Sequence, residues 1–213
     1  MSAKLSEMQP LDIPTSAGAA RAHFAPGERA AVVLGHGAGG GVGAPDLRAA
    51  TEAALDAGWS VALVEQPYRV AGRRSAAPAA QLDAAWTAVV EQLRAGPLAG
   101  LPVVCGGRSA GARVACRTAG ATQAIGVLCL AFPLVPPQRR DATGPPKTRQ
   151  DELDAVTVPV LVIQGEGDRF GMPEPRAPDR TVVRLRGDHR LASDLPGLRA
   201  AVAEWLGALV RRD

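Results

Sequence analysis

Aromatic side chains are scarce in this chain: three Trp, three Phe and one Tyr among 213 residues. A surface that holds nucleic acid by stacking needs such rings beside a basic stripe. Arginine is plentiful, but the pairs at 73–74, 139–140 and 211–212 lie far apart and the formal net charge is only +3. Nucleic acid is therefore an improbable partner, and the arginines read as solvated surface charge. Lysine is represented by Lys4 and Lys147 alone, a bias that codon usage accounts for as well as any physical demand. No apolar run is long enough to cross a bilayer as a helix, and Met1 to Pro10 lacks the apolar core of a signal peptide. These absences point to a cytoplasmic protein without a membrane partner. Cysteine is scarce as well. Cys105, Cys116 and Cys129 are odd in number, show no C-x-x-C spacing and fall in expected strands or a helix. They read as buried free thiols, with neither a disulfide nor a metal site.

What is present is an alternation of strands and helices over one domain, 1–213, with residues 1–10 expected as a flexible tail. Leu11 to Pro14 and Arg21 to Ala25 read as a leading hairpin at a sheet edge, turning near Ser16-Ala17-Gly18. Ala30 to Leu34, Trp59 to Val64, Leu101 to Gly106, Ile125 to Ala131, Val158 to Ile163 and Thr181 to Leu185 are the later strands. Between them, Pro45 opens a helix ending at Gly58, and Leu82, Trp86, Val89, Val90 and Leu93 mark another, stopped by Gly96-Pro97. Ala110 to Ala119 and a last helix carrying Leu198, Val202, Trp205, Leu206 and Leu209 complete the set. The central strands are apolar throughout, which suits a mostly parallel sheet covered on both faces by helices. Ligands in such sheets bind at the carboxyl ends of the strands.

The run Gly107-Arg108-Ser109-Ala110-Gly111 matches G-x-S-x-G. A strand precedes it and a helix follows, the context in which this pattern forms a sharp turn presenting a nucleophilic serine. The two glycines remove bulk where a strained serine needs it gone, and the helix start directs free N–H groups at the place where an oxyanion would form. A serine hydroxyl is a weak nucleophile until a base takes its proton, and the base needs an orienting acid. Only His23, His36 and His189 compete for the base. His23 lies in the leading hairpin as a surface residue. His36 sits in a glycine-rich loop, where a structural hydrogen bond is the better reading. His189 follows the last strand and is the candidate base. Asp168, in Gln164-Gly165-Glu166-Gly167-Asp168, is the candidate acid, with Glu166 as a rival and Asp188 as a loop-shaping neighbour.

The loop Gly35 to Gly41 follows the strand expected beside the elbow. Its backbone N–H at Ala38, with that of Ala110, is the candidate oxyanion hole. A phosphate-binding loop competes for the same glycines, and Glu65 at the end of the next strand leaves that reading open, though the run lacks G-x-x-x-x-G-K-[ST].

The order His-Gly-Ala-Gly-Gly, Gly-x-Ser-x-Gly, Gly-x-Gly-Asp and Gly-Asp-His resembles the α/β-hydrolase superfamily. Within it the chain is similar to a small dienelactone-hydrolase-like group that includes a testis-expressed protein and a chromatin-complex subunit. Gln66-Pro67-Tyr68 with Ala71-Gly72-Arg73-Arg74, and Phe132-Pro133-Leu134 with Pro136-Pro137, carry the likeness to that group. The resemblance implies a single-domain α/β-hydrolase fold of about eight strands, no cofactor, and a Ser109–His189–Asp168 triad hydrolysing a small ester through an acyl-enzyme. The alternative is a non-catalytic scaffold that keeps the fold, since fold alone does not settle function. No lid domain is expected, because residues 133–157 are short and rich in Pro. The pocket should therefore be open, with Tyr68 at its border and Arg69, Arg73, Arg74 or Arg108 as candidates to bind a substrate carboxylate.

Overall fold

The structure, a computed structural model, describes residues 8–136 and 147–211. The expected Arg139-Arg140 pair, Pro137, Pro145, Pro146 and Arg212 lie outside the described residues, as do residues 1–7 of the expected tail. Gln9 and Pro10, the other end of that tail, instead begin strand β1 (Gln9–Thr15), which pairs antiparallel with β2 (Gly18–Ala25). The hairpin is the sheet edge that the sequence suggests, and Pro10 and Pro14 suit an outer strand because neither has an N–H to offer a further neighbour.

The remaining strands are β3 (Ala31–Gly35), β4 (Ser60–Glu65), β5 (Val103–Arg108), β6 (Gly126–Leu130), β7 (Val160–Gly165) and β8 (Arg180–Leu185). They form one eight-stranded sheet in the order β1-β2-β4-β3-β5-β6-β7-β8. β2 meets β4 antiparallel, and every pair from β4 onward is parallel.

Six helices accompany the strands among the described residues: α1 (Pro45–Asp56), α2 (Pro67–Val70), α3 (Ala79–Ala95), α4 (Ala110–Thr118), α5 (Gln150–Asp154) and α6 (Leu195–Leu209). Successive strand residues point to opposite faces, and the apolar runs divide accordingly. Val33, Cys105, Val127 and Val162 pack against α3, α4 and α5 in one layer. Their neighbours Leu34, Val104, Leu128 and Leu161 pack against α1 and α6 in the other. Both faces are dry, which is why these strands show no polar alternation. The two large anchors, Trp86 of α3 and Trp59 before β4, are almost wholly buried.

Local signals set the helix ends. Pro45 and Pro67 open α1 and α2, where a missing N–H costs nothing. Asp194 caps α6 by accepting from Gly197 N at 2.9 Å. The segment that follows β4 begins as the short helix α2, because Pro67 presets the first turn and Arg69 N bonds Gln66 O at 2.8 Å. Between β6 and β7, the described residues hold only α5 and form no lid.

Candidate active site

The elbow joins β5 to α4 at the carboxyl edge of the sheet. Ser109 has φ +52° and ψ −107°, a conformation that L-residues rarely adopt. It is held there from both sides. Its N–H donates to Leu130 O at 2.9 Å, continuing the β5–β6 ladder by one residue. Beyond the serine, a Cβ on Gly107 or on Gly111 would collide with the carbonyl of Gly35 at the end of β3. The glycines thus serve a close approach of two backbones.

Asp168 and His189 come from neighbouring strand ends. The turn after β7 and the loop after β8 are stitched by main-chain bonds, Glu166 N to Leu185 O at 2.9 Å and Gly167 N to Gly187 O at 2.8 Å. Gly165 permits this, since a Cβ there would lie 2.7 Å from Gly187 O. His189 Nδ1 meets Asp168 Oδ2 at 2.7 Å, and Nε2 meets Ser109 Oγ at 3.0 Å. Asp168 is buried and accepts two further hydrogen bonds, from Phe170 N at 2.9 Å and from Gln164 Nε2 at 2.8 Å. Glu166 is exposed and makes no hydrogen bond to His189. Asp188 Oδ1 accepts from Arg190 N and shapes its loop.

The glycine-rich loop stands beside the serine: a Cβ on Gly37 would lie 3.6 Å from Ser109 Cβ. Among the described residues no acceptor takes the N–H of Ala38 or that of Ala110. The loop is braced from two sides. Tyr68 donates its hydroxyl to Ala38 O at 2.9 Å. His36 is 3% exposed and has both ring nitrogens engaged, Nδ1 with Gly37 O at 2.8 Å and Nε2 with Gln66 N at 3.1 Å. Because Nε2 must accept from that N–H, Nδ1 carries the proton and donates.

Burial is the main cause that lowers the His36 pKa below its ordinary value. The unfolded chain therefore binds a proton that the folded chain refuses. The stability from this group is full above about pH 6.5, where free histidine titrates, and is lost as pH falls toward the lowered folded value. We expect the unfolding midpoint in urea to fall between pH 7.5 and 5.5, and His36→Gln to remove this part of the slope while lowering the whole curve. An unchanged slope in that variant would assign the dependence to other groups.

Several sequence expectations change here. His23, read as a surface residue, is half-buried and pairs with Glu65 across β2 and β4, Nε2 to Oε2 at 3.0 Å. That contact occupies the acid on which a nucleotide reading of the glycine loop depended. Arg108 does not reach outward as a substrate fork. Its guanidinium is turned inward, onto the buried carboxylate of Asp46 and the carbonyl of His189. Tyr68 is buried and spends its hydroxyl on Ala38, while Arg73 and Arg74 are exposed and make no ion pair among the described residues. Tyr68 and Arg73 share the wall of a cavity of about 270 Å³ with Gln66 and Leu82.

Three contributors escaped the sequence reading. Gln164, wholly buried, is the one polar side chain interrupting the apolar run of β7, and that interruption was a usable signal. The Phe170 ring stands edge-on to His189 with centroids 4.6 Å apart. Asp46 resembled an ordinary first-turn acid of α1, and nothing local marked it as buried.

A family model described as an alpha/beta hydrolase domain matches residues 28–191. Among solved structures, an α/β serine hydrolase without lid from Xanthomonas campestris, XC6422, is 21% identical with a TM-score of 0.72, covering 97% of this chain and 95% of its own. Est1E from Butyrivibrio proteoclasticus is 15% identical with a TM-score of 0.74, over 95% of this chain and 99% of its own. A dienelactone hydrolase from Anabaena variabilis is 17% identical with a TM-score of 0.70, over 97% of both chains. At these identities the likeness is one of fold. A comparison with curated proteins finds no match.

Proposed function

The chain belongs to the alpha/beta hydrolase domain family, and from that premise we propose that it is a serine hydrolase cleaving small carboxylic esters through an acyl-enzyme. The observation that carries this reading is the unbroken relay from Ser109 Oγ through the imidazole of His189 to Asp168.

In the proposed cycle, Ser109 Oγ attacks the ester carbonyl as its proton passes to His189 Nε2. Asp168 accepts from Nδ1–H and keeps the ring in the tautomer that leaves Nε2 free to receive it. The carbonyl electrons move onto oxygen, which takes hydrogen bonds from the N–H groups of Ala38 and Ala110. His189 then returns the proton to the departing alkoxide, and the C–O bond breaks to leave an acyl-serine and an alcohol. Water repeats the sequence and releases the acid. No group outside the chain and its substrates is needed to balance these steps.

The substrate side is small acyl groups. The described part of the β6–β7 connection adds no lid to bury a long chain, and XC6422, of the same fold, is likewise described as lacking one. Arg73 and Arg74 are exposed and free of ion pairs among the described residues, and on this reading they are the candidates to attract an anionic substituent.

A fluorophosphonate probe tests the reading. The native protein should form one adduct, located at Ser109 by peptide mass, and Ser109→Ala none. A panel of p-nitrophenyl esters should then show falling kcat/KM from acetate to long acyl chains. A native protein that resists the probe would favour a non-catalytic scaffold, and preference for long chains would remove the open pocket.

A further inference from the structure

Arg108 takes no part in the relay, yet its side chain touches three segments of the site. Its Nε lies 2.8 Å from Oδ2 of Asp46, a carboxylate with no exposure near the start of α1. Its Nη2 donates to the backbone carbonyl of His189 at 2.9 Å. Gly37 makes room for the guanidinium, since a Cβ there would lie 2.9 Å from Nη1. The Asp46 contact is a charge pairing more than a directed hydrogen bond, for Oδ2 has no well-aligned donor. Oδ1 is held separately, by Leu47 N at 2.9 Å.

A guanidinium needed only to neutralise Asp46 would have no reason to span to a second loop. The bond to the His189 carbonyl is therefore the informative contact. The loop on either side of the base is pinned at Gly187 and Asp188, but among the described residues no other hydrogen bond reaches the backbone of His189 itself, whose side chain is held by Asp168 and the edge of Phe170. We propose that Arg108, anchored on Asp46, is a positioning residue that fixes the main chain of His189 and so sets the imidazole at hydrogen-bonding distance from Ser109. This inference rests on the reading of Ser109 as nucleophile and His189 as base. The planar fork is what allows one side chain to serve two acceptors in fixed directions. A lysine supplies the charge to Asp46 without that fork.

Two variants separate positioning from neutralisation. Arg108→Lys keeps a cation beside Asp46, and the double variant Asp46→Asn, Arg108→Gln removes both charges together, so neither strands a buried carboxylate. With p-nitrophenyl acetate, both should unfold near the native midpoint and keep KM close to native. Their kcat should fall about 10- to 100-fold, the scale of a misplacement of the order of 1 Å. The rate of fluorophosphonate labelling should fall in parallel, because it too needs the serine proton removed. Native kcat in the double variant would reduce Arg108 to a partner of Asp46 and overturn the proposal. A raised KM with unchanged kcat would make it a substrate contact and overturn it as well. Ser109→Ala, run alongside, tells the two readings apart. Full activity there removes the hydrolase mechanism itself, whereas an inactive Ser109→Ala with fully active Arg108 variants removes only the positioning role.

Discussion

Ser109→Ala and His189→Ala should each lower kcat by about five to six orders of magnitude, and the double variant should be little worse than either. The reason is mutual dependence. Without the imidazole the hydroxyl keeps its proton, and without the hydroxyl the imidazole has no proton to move. On the proposed reading, the residual rate would come from binding and from the N–H groups of Ala38 and Ala110, which neither substitution touches. Asp168→Asn should cost about 10⁴-fold, since an amide that donates to Nδ1 turns the ring to the wrong tautomer. Glu166→Gln should leave kcat near native, because Glu166 is exposed and the acid position beside His189 is taken by Asp168. A larger loss from Glu166→Gln than from Asp168→Asn would overturn the assignment of the acid.

The second large effect concerns the turn that carries Ser109. Gly111→Ala should destabilise the protein by about 3 kcal/mol, at the upper end of what overpacking costs, and should abolish activity in whatever remains folded. The added methyl would sit 2.6 Å from the carbonyl carbon of Gly35 and 2.9 Å from His36 O. Both belong to backbone, at the end of β3 and in the loop that follows, so no side chain can rotate away to make room. Relief requires α4 to retreat from β3, which withdraws Ser109 from the glycine loop and from His189 at once. Gly120→Ala, just beyond the far end of the same helix, meets nothing within 4 Å and serves as the control. Its urea midpoint and kcat should match the native protein. Equal behaviour of the two variants would refute the close-approach account of the elbow.

These expectations draw on two kinds of information, local and tertiary. The strands and helices were legible because their signals are local. A continuous apolar run means a strand covered on both faces, and the 3.6-residue recurrence of Leu82, Trp86, Val89 and Leu93 means a helix against that sheet. Pro45 and Gly96 punctuate at fixed offsets. The elbow was legible for the same reason, since its strand, glycines and helix are contiguous. Ser109, His189 and Asp168 were legible as candidates by chemistry and by scarcity, the chain having few histidines to choose from.

What the sequence alone does not determine is which side chains meet. Ser109 and His189 are 80 positions apart, and the approach of their atoms to 3.0 Å depends on β5 to β8 lying in chain order within the sheet. The reversed order of β4 and β3 likewise brings His23 against Glu65, turning a surface histidine into half of a pair. Arg108 shows the limit most clearly. An arginine beside a nucleophile has the right chemistry for a substrate anion, and only the packing of α1 and the loop after β8 supplied it with Asp46 and the His189 carbonyl instead. Periodicity and turn chemistry act over a few residues, so they determine the elements of this protein. Burial and charge pairing act across whatever the fold brings together, so they decided the partners.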